Sequence, residues 1–226
     1  MERLGHRGRA WLVFAGLTSL VVLFIMLTAH VRDFHATDEK LLLLMREPGD
    51  PKNAIGTPRF EEFMRDISAL GSQGVLFLGV FAASGMLVLR RQYHAAILLI
   101  VAAVGAYFVA AGLKGIFDRP RPSLVTHLSF HTGTRSFPSG HSVMAAAVYL
   151  TLGALLSRLV KPMGQKIYFI SMAALLAFII GASRIYLGMH HPTDVVAGWI
   201  IGVYWAGLCW EVMTVMQRRG KVEPPR

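Results

Sequence analysis

The chain has one cysteine, Cys209, among 226 residues, and it lies inside an apolar block. Disulfides within the chain and cysteine metal sites are thereby excluded. Charge is almost missing from the long apolar blocks, and no internal repeat of the kind seen in transporters built from paired halves is evident. There is also no long basic run, although 23 Lys and Arg against 13 Asp and Glu leave a net charge of +10. Nucleic-acid binding would gather such cations on one face. Here they sit at the ends of apolar blocks, which is the distribution that membrane topology produces.

What is abundant is apolar sequence: 54% of the residues are hydrophobic, high for a soluble protein. Six blocks, at 11–30, 72–89, 95–113, 139–157, 166–183 and 194–214, reach or approach the roughly 20 residues needed to cross a bilayer. The first follows Arg3, Arg7 and Arg9 as a secretory signal would. Its run from Trp11 to Ala29 exceeds a signal core and no small-residue cleavage site follows, so it reads as a retained anchor. The expected fold is all-α, a six-helix transmembrane bundle forming one domain over residues 1–226.

Six spans place both termini on one side. Arg90, Arg91, Arg158, Lys161, Lys166, Arg218, Arg219 and Lys221 share it, which makes that side cytoplasmic. The first outward connection, 31–71, contains two short amphipathic pieces, Thr37–Met45 and Phe60–Leu70. These read as interfacial helices of a lid or collar. Gly198 and Gly202 on the last span read as packing positions.

The other two outward connections, 114–138 and 184–193, carry Lys114, Arg119, Arg121, Arg135 and Arg184 on the side where the charge rule places few cations. An anion site explains them; solvated loop charges are the alternative. The first stretch, Lys114-Gly-Ile-Phe-Asp-Arg-Pro-Arg121-Pro122, holds three cations on a proline-stiffened backbone. Forked guanidinium groups and a point-charge ammonium suit phosphate oxygens.

The second, Phe137-Pro138-Ser139-Gly140-His141-Ser142, precedes an apolar helix. Free N–H groups at such a start cradle phosphate, and His141 at its mouth can protonate a leaving oxygen. The alternative is a simple Ser139 cap with His141 at an interface. The third, Ser183-Arg184-Ile-Tyr-Leu-Gly-Met-His190-His191-Pro-Thr-Asp194, separates His190 from Asp194 by four residues. The carboxylate can then hold one ring nitrogen and free the other as a nucleophile, or the pair can merely brace a turn. What favours chemistry is that all three stretches fall on one expected face of the membrane.

Lys114, six residues, Arg121-Pro122; Pro138-Ser139-Gly140-His141; and Ser183-Arg184, five residues, His190, three residues, Asp194 together resemble the signature of the type 2 phosphatidic acid phosphatase superfamily. The resemblance implies a lipid phosphate or diphosphate phosphatase without metal or other cofactor. In it, His190 forms a phosphohistidine, Asp194 orients His190, and His141 is the general acid. Lys114, Arg121, Ser139, Gly140 and Arg184 hold the phosphate. Arg119-Pro120 duplicates Arg121-Pro122, which leaves Arg119 as a second candidate, while His191 is expected to point away from the site.

An attacking neutral His190 and a protonated His141 imply a bell-shaped pH profile. The implied partners are the bilayer and a lipid phosphate such as phosphatidylglycerophosphate, phosphatidic acid or undecaprenyl diphosphate, with no nucleic acid. The expected location is the inner cell membrane with an extracytoplasmic site. A lipid phosphotransferase and, further off, an anion transporter are the competing functions.

Overall fold

A computed structural model of the protein describes residues 35–129, 133 and 135–218. The first expected span, 11–30, lies outside them. Among the described residues seven helices run in order: α1 (His35–Leu43), α2 (Pro58–Ala69), α3 (Gln73–Leu89), α4 (Tyr93–Phe117), α5 (Gly140–Arg158), α6 (Met163–Tyr186) and α7 (Pro192–Arg218). The other five apolar blocks coincide with helices α3 to α7. The all-α expectation missed one small feature: β1 (Arg46–Glu47) and β2 (Asp50–Ala54) pair antiparallel between α1 and α2. Gly49, at φ +85°, makes the tight turn between them, a left-handed conformation that only glycine adopts without strain.

Local chemistry sets the helix starts. The Thr57 hydroxyl accepts from Phe60 N at 3.3 Å with Pro58 in the first turn, and the Ser72 hydroxyl accepts from Val75 N at 3.4 Å. Between these caps the chain bends by 49° from α2 into α3. Four helices, α4 to α7, are long and apolar enough to cross a membrane, and the bent α2–α3 pair makes a fifth if counted as one span. Their outer faces carry large apolar side chains, with Phe81 78%, Ile116 74% and Leu89 81% exposed. Apolar faces of this extent match a hydrocarbon surrounding and not water. The chain is a multi-pass membrane protein.

The central helix is α5, packed against α4, α6 and α7. The α5–α7 contact is close because α7 presents glycine there. A Cβ at Gly198 would lie 2.8 Å from Ser139 O, and one at Gly202 would overlap Val143 O. Both positions therefore pack as expected, and the approach brings the start of α7 against the start of α5, where Ser139 N donates to Asp194 O at 3.0 Å. Trp199 and Trp205 on α7 donate to backbone carbonyls of Ala177 and Ala102, so these rings too are packing elements.

The first connection covers the turn between α6 and α7. Tyr186, Leu187 and Met189 pack under Met45, Ala54 and Met64. The buried Arg46 guanidinium donates to Tyr186 O at 2.9 Å. At the α2–α3 bend, a Cβ on Gly71 would sit 3.3 Å from His141 Cδ2, so this connection reaches the start of α5 as well.

Candidate active site

The three sequence stretches meet at one end of the bundle. Lys114 lies in the last turn of α4, which ends at Asp118 in a left-handed conformation (φ 41°) and releases the chain into Arg119-Pro120-Arg121-Pro122. The returning strand is tied to this segment by a bridge between Pro120 and Arg135 and by Ser136 N donating to Arg119 O at 2.7 Å. The chain then enters α5 through a cis Phe137–Pro138 peptide.

At the α5 start, the Ser139 side chain makes no capping bond. Val143 is the first residue of the helix whose N–H reaches back to Ser139 O, so the N–H groups of Gly140, His141 and Ser142 have no intrahelical acceptor. Such a start attracts an anion. The Lys114 side chain lies beside it, 3.9 Å from where a Gly140 Cβ would stand, and its Nζ donates to Arg135 O at 3.3 Å.

The α6–α7 turn is built around Gly188 at φ +70°, where a Cβ would come within 2.7 Å of Thr126 O. Before it, the buried Arg184 donates to Ser68 Oγ at 2.7 Å. After it, His190 and His191 are buried and α7 begins. Asp194, in the first turn of α7, turns back so that Oδ2 accepts from His191 N at 2.9 Å, a capping-box geometry.

Around Asp194 the structure goes beyond the sequence reading. Oδ2 stands 3.6 Å from His190 Nδ1, as the four-residue spacing anticipates. Ser136, which sequence reasoning missed, donates its hydroxyl to the same oxygen and lies 3.5 Å from His190 Nδ1. Oδ1 accepts from Arg119 Nη1 at 2.6 Å, and Arg119 Nη2 donates to Asp38 of α1 at 2.7 Å. Arg119 therefore faces carboxylates and is not placed as a phosphate ligand. Arg121 differs: it donates to Met189 O of the α6–α7 turn at 2.6 Å and to Gly133 O at 2.8 Å.

His191 corrects a second expectation. Its ring does not point away: Nδ1 lies 3.4 Å from Asp194 Oδ2, and the ring meets His35 edge-on at 5.6 Å. Adjacent histidines at the start of a helix can both reach a carboxylate in its first turn, so sequence spacing alone does not separate them.

Electrostatics distinguishes His190. Burial pushes its pKa down to about 3; Asp194 opposes this, and Arg184 and Arg121 add to it. The ring is thus neutral at physiological pH, with Nδ1 toward Asp194 and Nε2 as its other nitrogen. Burial also lowers the pKa of Arg121, while Asp194 supports its charge. His141 lies within electrostatic reach of Arg184, His190, Lys114 and Arg121. Two imidazoles, three cations and a helix start therefore face one region. Among the described residues no three His, Cys, Asp or Glu side chains form a metal-holding group. A cavity of about 350 Å³, lined by Arg90, Arg91, Leu155, Arg158 and Met213 among others, opens at the opposite end and is remote from these groups.

The family model described as the PAP2 superfamily matches residues 95–218. The chain is 31% identical to phosphatidylglycerophosphatase B of Bacillus subtilis (strain 168) over 82% of this chain and 88% of that protein. It is 27% identical to an undecaprenyl-diphosphatase of Sulfolobus acidocaldarius over 59% of this chain and 62% of that one. The fold superposes with a TM-score of 0.77 on the crystal structure of a transmembrane PAP2 type phosphatidylglycerolphosphate phosphatase from Bacillus subtilis, at 27% identity over 89% of this chain and 98% of that one. A signature converging on one buried histidine, a family match over more than half the chain and these relatives lead to one conclusion: the chain belongs to the PAP2 superfamily and is a membrane phosphatase.

Proposed function

We propose that the chain hydrolyses a lipid phosphate or diphosphate through a phosphohistidine on His190. The observation that carries this reading is the neutral, buried His190 with Asp194 behind Nδ1 and the Arg121 and Arg184 charges acting on it. Phosphoryl transfer asks mainly for positioning and for neutralising charge on the equatorial oxygens. Lys114, Arg121, Arg184 and the N–H groups at the start of α5 supply that, with Ser139 and Gly140 giving close access.

The Nε2 lone pair attacks phosphorus, and the bond to the leaving oxygen breaks with its electron pair going to that oxygen. His141 then donates a proton to it. In the second half, water attacks phosphorus while His141 accepts a water proton, and the P–N bond pair returns to Nε2. Neither half requires a metal.

The substrate is assigned to a lipid because a headgroup delivered by lateral diffusion explains why a phosphatase is built from apolar helices. Relatives named for phosphatidylglycerophosphate and undecaprenyl diphosphate make these the first substrates to test. The full architecture is six spans including residues 11–30, with both termini cytoplasmic, α1 and α2 along the interface, and the site at the extracytoplasmic face of the inner membrane. The basic residues at the opposite end, Arg90, Arg91 and Arg158, support that orientation.

The test is phosphate release from phosphatidylglycerophosphate, phosphatidic acid and undecaprenyl diphosphate in detergent with EDTA present. Release that survives chelation and disappears in His190→Ala is expected, and the fastest lipid identifies the substrate class. Release by His190→Ala at the wild-type rate contradicts the proposal.

A further inference from the structure

Behind Asp194 stands a buried chain of charges that none of the three signature stretches contains in full. Arg119 donates Nη1 to Asp194 Oδ1 at 2.6 Å and Nη2 to Asp38 Oδ2 at 2.7 Å. Asp38 also accepts from Thr193 N at 3.0 Å and Thr193 Oγ1 at 2.6 Å, while Arg119 Nη1 reaches Thr193 Oγ1 at 2.8 Å. Relative exposures are 1% for Asp38, 7% for Arg119 and 0% for Asp194. Asp38 belongs to α1, 81 residues before Arg119 and far outside the signature.

From this arrangement we infer that Asp38 is a positioning residue for the nucleophile: it compensates the Arg119 charge and so keeps the Asp194 charge available to His190. The inference rests on the reading of His190 as the nucleophile.

When a neutral imidazole takes the phosphoryl group, its ring becomes cationic, and a carboxylate at Nδ1 stabilises that cation. A guanidinium 2.6 Å from the same carboxylate opposes this, because the Arg119–Asp194 pair alone is neutral. With Asp38 the group of three carries one net negative charge, opposite in sign to the Arg121 and Arg184 charges that act on His190. In so buried a setting the compensating charge is felt more strongly than in water. Asp38 thereby gives the connection that covers the α6–α7 turn an electrostatic part in turnover, in addition to bracing Thr193 at the α7 start.

Charge compensation and bracing predict different double variants. Asp38→Asn leaves Arg119 uncompensated and should lower kcat about 10- to 100-fold with KM little changed, which is loss of an interaction strengthened in the transition state. Arg119→Gln leaves two buried carboxylates unneutralised and should also be impaired. Asp38→Asn combined with Arg119→Gln restores one net negative charge and should turn over faster than either single variant, whereas loss of bracing makes it no better than the worse one. Asp38→Glu, which keeps the charge, should recover most of the wild-type kcat.

The experiment measures kcat and KM of these variants in detergent on the lipid phosphate cleaved fastest in the three-lipid panel, with folded fraction from fluorescence-detected gel filtration. If Asp38→Asn does not fold, the double variant is compared with Arg119→Gln, on which the claim stands equally. An Asp38→Asn variant within twofold of wild type, or a double variant that fails to fold or does not turn over faster than both single variants, overturns the inference. His190→Ala is assayed in parallel: if it is active, the phosphohistidine reading fails, and if it is dead while Asp38→Asn matches wild type, only the role of Asp38 fails.

Discussion

The two ends of the bundle are both rich in arginine and use it in opposite ways. At one end Arg90 and Arg91 are exposed beside an open cavity, and Arg158 stacks over Trp210 at 4.0 Å. At the other, Arg119 and Arg184 are buried and hydrogen-bonded to Asp38, Asp194 and Ser68, and Arg121 holds Met189 O in the turn that carries His190. Exposed cations at a membrane surface set orientation at little structural cost. Buried ones need partners, and one partner of Arg119 is Asp194, a group proposed for catalysis. Burial and pairing, more than the count of cations, distinguish a site from a topology signal.

The largest effect that can sharpen this contrast is at His190. Its replacement by Ala should lower phosphate release by at least about 10⁴-fold, the scale at which loss of a nucleophile is felt. Next, Arg184→Gln and Arg121→Gln should each cost about 10²- to 10³-fold in kcat/KM, as loss of one charged donor to a transition state does. At the opposite end, Arg90→Gln should stay within about twofold in the same phosphate-release assay, because it is an exposed surface change. Equal losses at the two ends would break the comparison.

pH tests the burial directly. His190 holds its proton less tightly in the folded chain, near pH 3, than the ordinary imidazole near 6.5. Between those values the unfolded chain binds more protons, so stability is fully present above about pH 6.5 and is lost as pH falls toward 3. Midpoints of thermal unfolding should therefore decline over that window in wild type and decline less in His190→Gln. The same shift keeps the nucleophile neutral, so no loss of activity should centre on pH 6.5 from His190. The smallest effect concerns packing: Gly202→Ala should lower the melting temperature by several degrees without moving KM, since the added Cβ meets Val143 O.

The periodicity of the chain made five of the described helices legible, because apolar runs of this length have few alternatives. The signature residues were legible for a chemical reason: imidazole, guanidinium and carboxylate at fixed helical spacing have few common purposes. Arg119 and Arg121 share an Arg-Pro context, and only the fold reveals that one faces two carboxylates and the other the His190 turn. Asp38 and Ser136 were not legible, since nothing local separates a surface-like Asp on a short helix from one that meets Thr193 across 155 residues of chain, or a loop Ser from one that meets Asp194 across 58. The hairpin after α1 is too short to leave an alternating pattern.

The central claim is a covalent phosphohistidine, and trapping it is the most direct measurement. Rapid acid-free quenching during turnover, followed by peptide mass spectrometry, should find an acid-labile, base-stable phosphate on His190 in wild type and none in His190→Ala. Phosphate on His191 or on another residue, or turnover by wild type with no phosphoenzyme trapped, would contradict the account.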